Sequence, residues 1–263
     1  MHKVALVTGG SSGIGLQTAL ALRKRGCRVY SLSRRGAGSE EIHHIACDVT
    51  SESAVNGAVE QILREAGQID ILINNAGFGI SGAVELTTLE DAKRQFDVNF
   101  FGMVNVCKAV LPHMRQAGQG RIVNLSSVAA VLPIPFQAYY SASKAAINAY
   151  TQALSNEVKP FGISVCAVMP GDIHTGFTAA RQKQPDSDAV YGGRLERSLK
   201  KMEDDEQNGM EPSQAGAYIA RLALKKRVKQ LYAIRWDYKF FTLLSRILPV
   251  RLINAILYQM YAK

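Results

Sequence analysis

The chain has 263 residues, with 31 Lys and Arg against 22 Asp and Glu, a formal net charge of +9. At 47% hydrophobic and 20% charged residues it has an ordinary globular composition, which excludes disordered, collagen-like and mucin-like classes. The charge is uneven: residues 221–263 hold ten basic residues and one acid, Asp237, so residues 1–220 are neutral as a whole.

Taken in chain order, short apolar, β-branched runs alternate with amphipathic helical patterns. Strands are expected at Lys3–Thr8, Arg28–Ser33, His44–Asp48, Ile69–Asn74, Arg121–Ser126, Ser164–Met169 and Val228–Ile234. Helices are expected within Gly13–Arg25, Glu52–Ala66, Leu89–Gln116 and Tyr140–Val158. Runs that are apolar throughout, such as Ile71-Leu72-Ile73, suit strands covered on both faces. The alternation predicts an α/β fold: a Rossmann-like, doubly wound parallel sheet of about seven strands with helices on both faces. The expected organisation is one catalytic domain, residues 1–234, interrupted at about 180–212 by a charged, glycine-containing insertion without an apolar stripe. Such an insertion reads as a mobile lid. A basic extension, residues 235–263, follows.

The chain opens without the apolar core of a secretory signal, and no charge-free run approaches the roughly 20 residues of a membrane span, so a cytoplasmic protein is expected. Cys27, Cys47, Cys107 and Cys166 are widely spaced in apolar runs and read as buried thiols. They and the five histidines show no metal-ligand spacing. No metal is expected.

The first strand ends in Thr8-Gly9-Gly10-Ser11-Ser12-Gly13-Ile14-Gly15 and a helix follows. Glycines let that backbone turn tightly, and a helix N-terminus offers free N–H groups to a pyrophosphate. Strand two ends in Ser33-Arg34-Arg35, with no carboxylate for a ribose 2′-hydroxyl and two guanidinium groups for a 2′-phosphate. NADP(H) is therefore expected over NAD(H). Tyr140 and Lys144, four residues apart, share one face of a helix. A phenol titrates near pH 10, and lowering it by about 3 units takes roughly 4 kcal/mol. A cation about 4 Å away supplies about that much at an effective dielectric of 20.

Ser127 lies thirteen residues before Tyr140; Asn74-Asn75-Ala76-Gly77 ends strand four; Asn99 stands in Asp97-Val98-Asn99; Pro170-Gly171-Asp172-Ile173-His174-Thr175 follows strand six. With the glycine loop and Asp48-Val49, this combination resembles the short-chain dehydrogenase/reductase family over about residues 3–234. The resemblance implies an oxidoreductase in which Tyr140 is the general acid/base and Lys144 lowers its pKa and holds the nicotinamide ribose. Ser127 would donate to the reacting oxygen, and Asn99 would hold a water of the proton relay. It further implies that Thr8, Gly9, Ser11, Ser12, Gly13, Ile14 and Gly15 form the phosphate loop and that Asp48 and Val49 read the adenine. Asn75, Ala76 and Gly77, with Asn74, would line the adenosine side. Pro170 and Gly171 would contact the cofactor, Ile173 would meet the nicotinamide carboxamide through its backbone, and Thr175 a phosphate. The family usually has Val where Ile173 stands.

The apolar loop Val128–Phe136 suggests a hydrophobic carbonyl or alcohol substrate, steroid-, retinoid- or acyl-like. Homodimers or homotetramers are implied, and nucleic acid is not. A non-catalytic NADPH sensor on the same fold, or an epimerase or dehydratase using the Tyr–Lys pair, are the competing readings. In the extension, Phe240, Leu244, Ile247 and Leu248 recur at helical spacing, as do Leu252, Ile256 and Met260, with Pro249 between. These helices either cover the protein's own core or a dimer partner, or lie on a membrane surface.

Overall fold

The computed structural model describes residues 2–36, 42–183 and 190–263. Seven parallel strands form one sheet in the order β3-β2-β1-β4-β6-β7-β9. They are β1 Val4–Thr8, β2 Arg28–Ser33, β3 His43–Ala46, β4 Ile71–Asn74, β6 Gly120–Leu125, β7 Ile163–Met169 and β9 Leu231–Ala233. Each lies within or beside a run expected from the sequence; the last is cut from seven residues to three. β1 and β4 are buried along their whole length, as parallel strands with helices on both faces must be. The strand order reverses direction between β1 and β4, and such a switch point opens a crevice at the strands' carboxyl ends.

Two apolar layers sandwich the sheet. On one face α2 (Glu52–Ala66), α4 (Gly102–Ala117) and α5 (Ala138–Glu157) bury Val55, Val59, Ile62, Val106, Val110 and Ile147 against β1, β4 and β6. On the other, α1 (Gly13–Arg23) and α8 (Pro212–Ala223) bury Ala19, Leu22, Ile219 and Leu222. Helix ends follow their sequences: Ser51 caps α2 by accepting from the Ala54 N–H at 3.3 Å, and Gly67 closes it at φ 77°. The four cysteines are buried free thiols.

The long helical pattern after residue 89 is not one α-helix. It runs as α3 (Leu89–Phe96), a π-helical turn Asp97–Phe101, and then α4. The turn carries Asn99, which is buried. π turns tend to occur at functional sites, where they re-aim one side chain.

The insertion departs from expectation. α6 (Phe177–Ala180) leads into it, and it contains α7 (Arg194–Gln207) and a two-residue strand, β8 (Gln182–Lys183), that pairs in parallel with β5 (Ile80–Ser81). α7 does have an apolar stripe: Leu195, Leu199 and Met202 are buried against Ile134, Phe136 and Tyr261. Three apolar residues among eleven polar ones were too few to show as a stripe, but they fall at helical spacing. Residues 184–189 of the insertion lie outside the described residues. The extension forms α9 (Trp236–Ile247) and α10 (Val250–Tyr261), separated at Pro249. α10 seats Ile253 and Leu257 inward, whereas α9 has no fully buried residue. Among the described residues no helix is long and apolar enough to cross a membrane.

α1 and α8 approach closely because Gly216 has no side chain. A Cβ there would stand 2.5 Å from the Gln17 carbonyl carbon and 2.7 Å from its oxygen. Backbone cannot yield as a side-chain tip can. Gly216→Ala is therefore expected to lose about 1–2 kcal/mol, overpacking outweighing the roughly 1 kcal/mol helix-propensity gain of Ala. The check is the urea midpoint; a midpoint equal to or above wild type contradicts this packing.

Candidate active site

The loop after β1 is locked to the loop after β4. Thr8 is buried, and its Oγ1 accepts from the Asn75 N–H at 2.9 Å and the Ala76 N–H at 3.0 Å. In return the Asn75 side-chain Nδ2 donates to the carbonyls of Thr8 (3.0 Å) and Gly9 (3.2 Å). Gly9 stands at φ +64°, and a Cβ there would be 2.9 Å from Asn75 Nδ2. At Gly15 a side chain would collide with the Gly9 carbonyl. Ser12, at the head of α1, is extended and makes no side-chain cap, and the first turn has no acid. Its leading N–H groups thus suit an anionic group, and the tight glycine cradle fits a dinucleotide pyrophosphate.

A cleft of about 840 Å³ begins at this loop. Arg34, Arg35, Asp48 and Val49 line its far end, and Ser127, Tyr140 and Lys144 line the other. Of the residues given a site role from the sequence, all but Thr8, Gly15, Asn74 and Asn99 border this one cleft; Asn74, expected on the adenosine side, is buried and donates to Asn124 Oδ1 at 3.0 Å and Cys107 Sγ at 3.2 Å instead. Arg34 and Arg35 are exposed, and the Ser33 hydroxyl between β2 and β3 is spent on the Arg35 carbonyl (2.8 Å) and His44 (2.9 Å). The Asp48 carboxyl is held below the usual range, chiefly by the Thr50 backbone N–H.

At the other end β6 delivers two serines with different partners. Ser126 Oγ donates to the Lys144 carbonyl at 3.0 Å and so pins α5. Ser127 Oγ donates to the Pro170 carbonyl at 3.5 Å and accepts from the Ala129 N–H at 3.1 Å, and it lies near enough to the Tyr140 hydroxyl to lower the proton affinity of that phenol. Lys144, one turn beyond Tyr140, donates to the Leu125 carbonyl at 2.8 Å, with Nζ 5.7 Å from the Tyr140 ring centre. An ammonium has three donors, so two remain beyond the Leu125 carbonyl. Asn99 accepts from the Phe78 N–H at 2.9 Å and donates to the Phe78 carbonyl at 3.0 Å and Ser143 Oγ at 3.2 Å. It clamps the π turn to α5 and to the loop after β4. Gly77 leaves the space between Asn99 and Lys144 open; a Cβ there would be 3.1 Å from Asn99 Oδ1 and 3.7 Å from Lys144 Nζ.

Burial pushes the Tyr140 phenol up to about 12, opposed by the nearby Ser127 hydroxyl, and pulls the Lys144 ammonium down to about 8. Lys144 does not touch the phenol oxygen directly; proximity on the helix brings the cation to the ring side.

Several residues in or directly behind the cleft wall carried no sequence signal. The Phe177 ring lies 5.9 Å from that of Tyr140. Arg181, buried, pairs with Glu206 across 25 residues, and Glu206 also accepts from the Thr178 hydroxyl. Tyr238 of α9 packs where a Gly171 side chain would be, and its hydroxyl bonds the Asp172 carboxylate. Burial raises the Asp172 carboxyl. No spacing rule links these positions; only the tertiary fold does. Among the described residues no cluster of three or more His, Cys, Asp or Glu could hold a metal.

The family model for short chain dehydrogenase matches residues 3–186. The chain belongs to the short-chain dehydrogenase family. It is 46% identical over 227 residues to a 3-ketodihydrosphingosine reductase of Bacteroides thetaiotaomicron, covering 85% of this chain and 84% of that one. It is 33% identical over 252 residues to a probable short-chain type dehydrogenase/reductase of Helicobacter pylori, covering 94% and 93%. Among solved structures, a short-chain dehydrogenase from Streptomyces avermitilis matches with a TM-score of 0.81 at 30% identity, over 98% of this chain and 96% of that one. A 3-ketoacyl-(acyl-carrier-protein) reductase from Brucella melitensis, complexed with NADH, matches with a TM-score of 0.74 at 27% identity, over 88% and 96%. The chain is thus an oxidoreductase of this family, which uses a nicotinamide cofactor to interconvert carbonyl and alcohol.

The depressed Lys144 value has a kinetic signature. The ammonium is charged below about pH 8 and neutral above it. The alkaline limb of kcat/KM for carbonyl reduction is expected to fall with an apparent pKa near 8, because that ratio reports free-enzyme groups. Lys144→Arg, which stays charged, should remove that limb from the residual activity; a limb at the same pH in the variant assigns it elsewhere.

Proposed function

We propose that the chain is an NADPH-dependent ketone reductase acting on a long-chain, lipid-like substrate of the 3-keto sphingoid kind. The observation that carries the chemistry is the convergence of Ser127, Tyr140 and buried Lys144 on one end of a cleft that also holds Arg34 and Arg35, with Lys144 Nζ 5.7 Å from the Tyr140 ring centre. The bound nicotinamide supplies the hydride. Tyr140 gives its hydroxyl proton to the carbonyl oxygen as that oxygen gains charge. Ser127 donates a hydrogen bond to the same oxygen and steadies it. Lys144 places a positive charge beside the phenolate left behind, and Asn99 sets the position of the α5 turn that carries it. Thr8, Gly9, Ser11, Ser12, Gly13, Ile14 and Gly15 would hold the pyrophosphate. Asp48, Val49, Asn75, Ala76 and Gly77 would hold the adenosine, and Pro170, Gly171, Ile173 and Thr175 the nicotinamide half.

Two guanidinium groups with no carboxylate after β2 support the choice of NADPH, since a 2′-phosphate takes bidentate cationic partners. For the substrate, Val128, Ile134, Phe78 and Phe177 give the cleft apolar walls, and a ketone reductase of a sphingoid precursor is 46% identical to the chain. The same reading has residues 1–234 as the catalytic domain with its lid at about 180–212. The enzyme would work as a cytoplasmic homodimer or homotetramer in peripheral contact with a membrane through residues 235–263.

Tyr140→Phe keeps the ring and removes the proton. It is expected to lower kcat by about 10²–10⁴-fold while NADPH affinity, read by cofactor fluorescence, stays within about twofold. Full turnover in that variant would sink the mechanism. Arg34→Ala combined with Arg35→Ala should weaken NADPH on the order of 100-fold and leave NADH nearly unchanged, as expected when charge-assisted bonds to one phosphate are lost. Equal losses for both cofactors refute the assigned preference.

A further inference from the structure

The outward side of the C-terminal helices is more apolar than the inward side. On α9, Trp236, Phe240, Leu243 and Ile247 form one stripe at helical spacing and are 81%, 53%, 53% and 68% exposed. The residues turned further inward on that helix include Tyr238, Thr242 and Ser245. On α10, Leu252, Ile256 and Met260 form a second exposed stripe, while Ile253 and Leu257 take the inward positions. Ten of the sixteen exposed large apolar residues among those described fall within 236–260. Exposed apolar stripes of this kind mark an interaction site. Lys239, Arg246 and Arg251 are exposed alongside the stripes, and Asp237, the one acid of residues 221–263, is bound by Arg235.

We infer that α9 and α10 form a docking surface for an anionic lipid bilayer. Charge decides the occupant. A second copy meeting this face across a two-fold axis would bring Lys239, Arg246 and Arg251 of both copies into one interface whose one acid, Asp237, is already bound by Arg235, and like charges brought together so repel. A bilayer bearing anionic headgroups accepts the aromatic and aliphatic side chains into its interface and the cations at its surface. The inference deepens the lipid-reductase reading and rests on it only for the substrate's route. The inner side of α9 places Tyr238 against Gly171 and Asp172, which line the cleft. Docking through the outer side therefore holds the cleft next to the phase in which a long-chain substrate dissolves.

The test is flotation of the full chain with phosphatidylcholine vesicles, with and without phosphatidylserine, and NADPH oxidation with a long-chain amino ketone measured separately. Wild type should float with the phosphatidylserine vesicles, less so as salt rises. A basic residue near an anionic surface contributes roughly fivefold in partitioning, so Lys239→Gln, Arg246→Gln and Arg251→Gln together should weaken binding on the order of 100-fold. Trp236→Ser, Phe240→Ser and Ile247→Ser together should also abolish flotation, with thermal melting unchanged because all three are exposed. Wild type that stays at the bottom overturns the proposal. So does flotation indifferent to the charge variants, or a dimer in sedimentation velocity that the serine variants split. Turnover without flotation fails this inference alone; flotation without turnover supports it and fails the reductase reading alone.

Discussion

The lock between the loops after β1 and β4 is the constraint on which the rest of the site depends. Two acceptor bonds to Thr8 Oγ1 and two donor bonds from the Asn75 amide join neighbouring strands where the sheet order reverses. That join sets the glycine loop at one angle to the sheet, and the loop in turn starts α1. It also places Gly77 and Phe78, to which Asn99 is clamped, so the nucleotide end and the proton-transfer end share one support. A buried network of this kind is costly if half satisfied and rigid if complete.

The proton-transfer end shows two opposed demands. Enclosure strengthens every electrostatic interaction in the cleft, yet it favours the neutral forms of Tyr140 and Lys144. Ser127 counters it on the phenol. For the lysine nothing charged does so, and Nζ is held by a backbone carbonyl instead. A lysine poised near pH 8 is therefore a direct result of where α5 is buried. The surrounding charges, Asp172, Glu206 and Arg181, come from the segments after β7 and tune Tyr140 from the substrate side.

The C-terminal extension has two faces with separate duties. Tyr238 and the inward residues of α10 attach it to the cleft wall and to α7, while the stripes seen in its sequence are divided between them. Phe240 and Ile247 face out, Leu244 and Leu248 are half-buried, and Leu252, Ile256 and Met260 lie outward of Ile253 and Leu257. Helical spacing locates a stripe but does not say whether the neighbour is protein or solvent.

How much was legible follows the range of the interactions. Double-sided burial makes β1 and β4 apolar throughout, so the sheet could be read from residue type alone. A helix brings positions four apart together, so the Tyr140–Lys144 pair was readable, and a thirteen-residue interval selected Ser127 over Ser126. The glycine loop and the two arginines after β2 were readable because backbone freedom and charge are properties of single residues. Contacts between distant segments were not: Arg181 with Glu206, Tyr238 with Gly171, the π turn that turns Asn99 inward, and the burial that sets the Lys144 proton near pH 8. Each depends on packing between elements far apart in the chain, and local periodicity has no knowledge of the partner. The sequence by itself determined the fold, the family and the chemical groups; the tertiary structure alone decided their surroundings, and with them the proton affinities and the outward face of the tail.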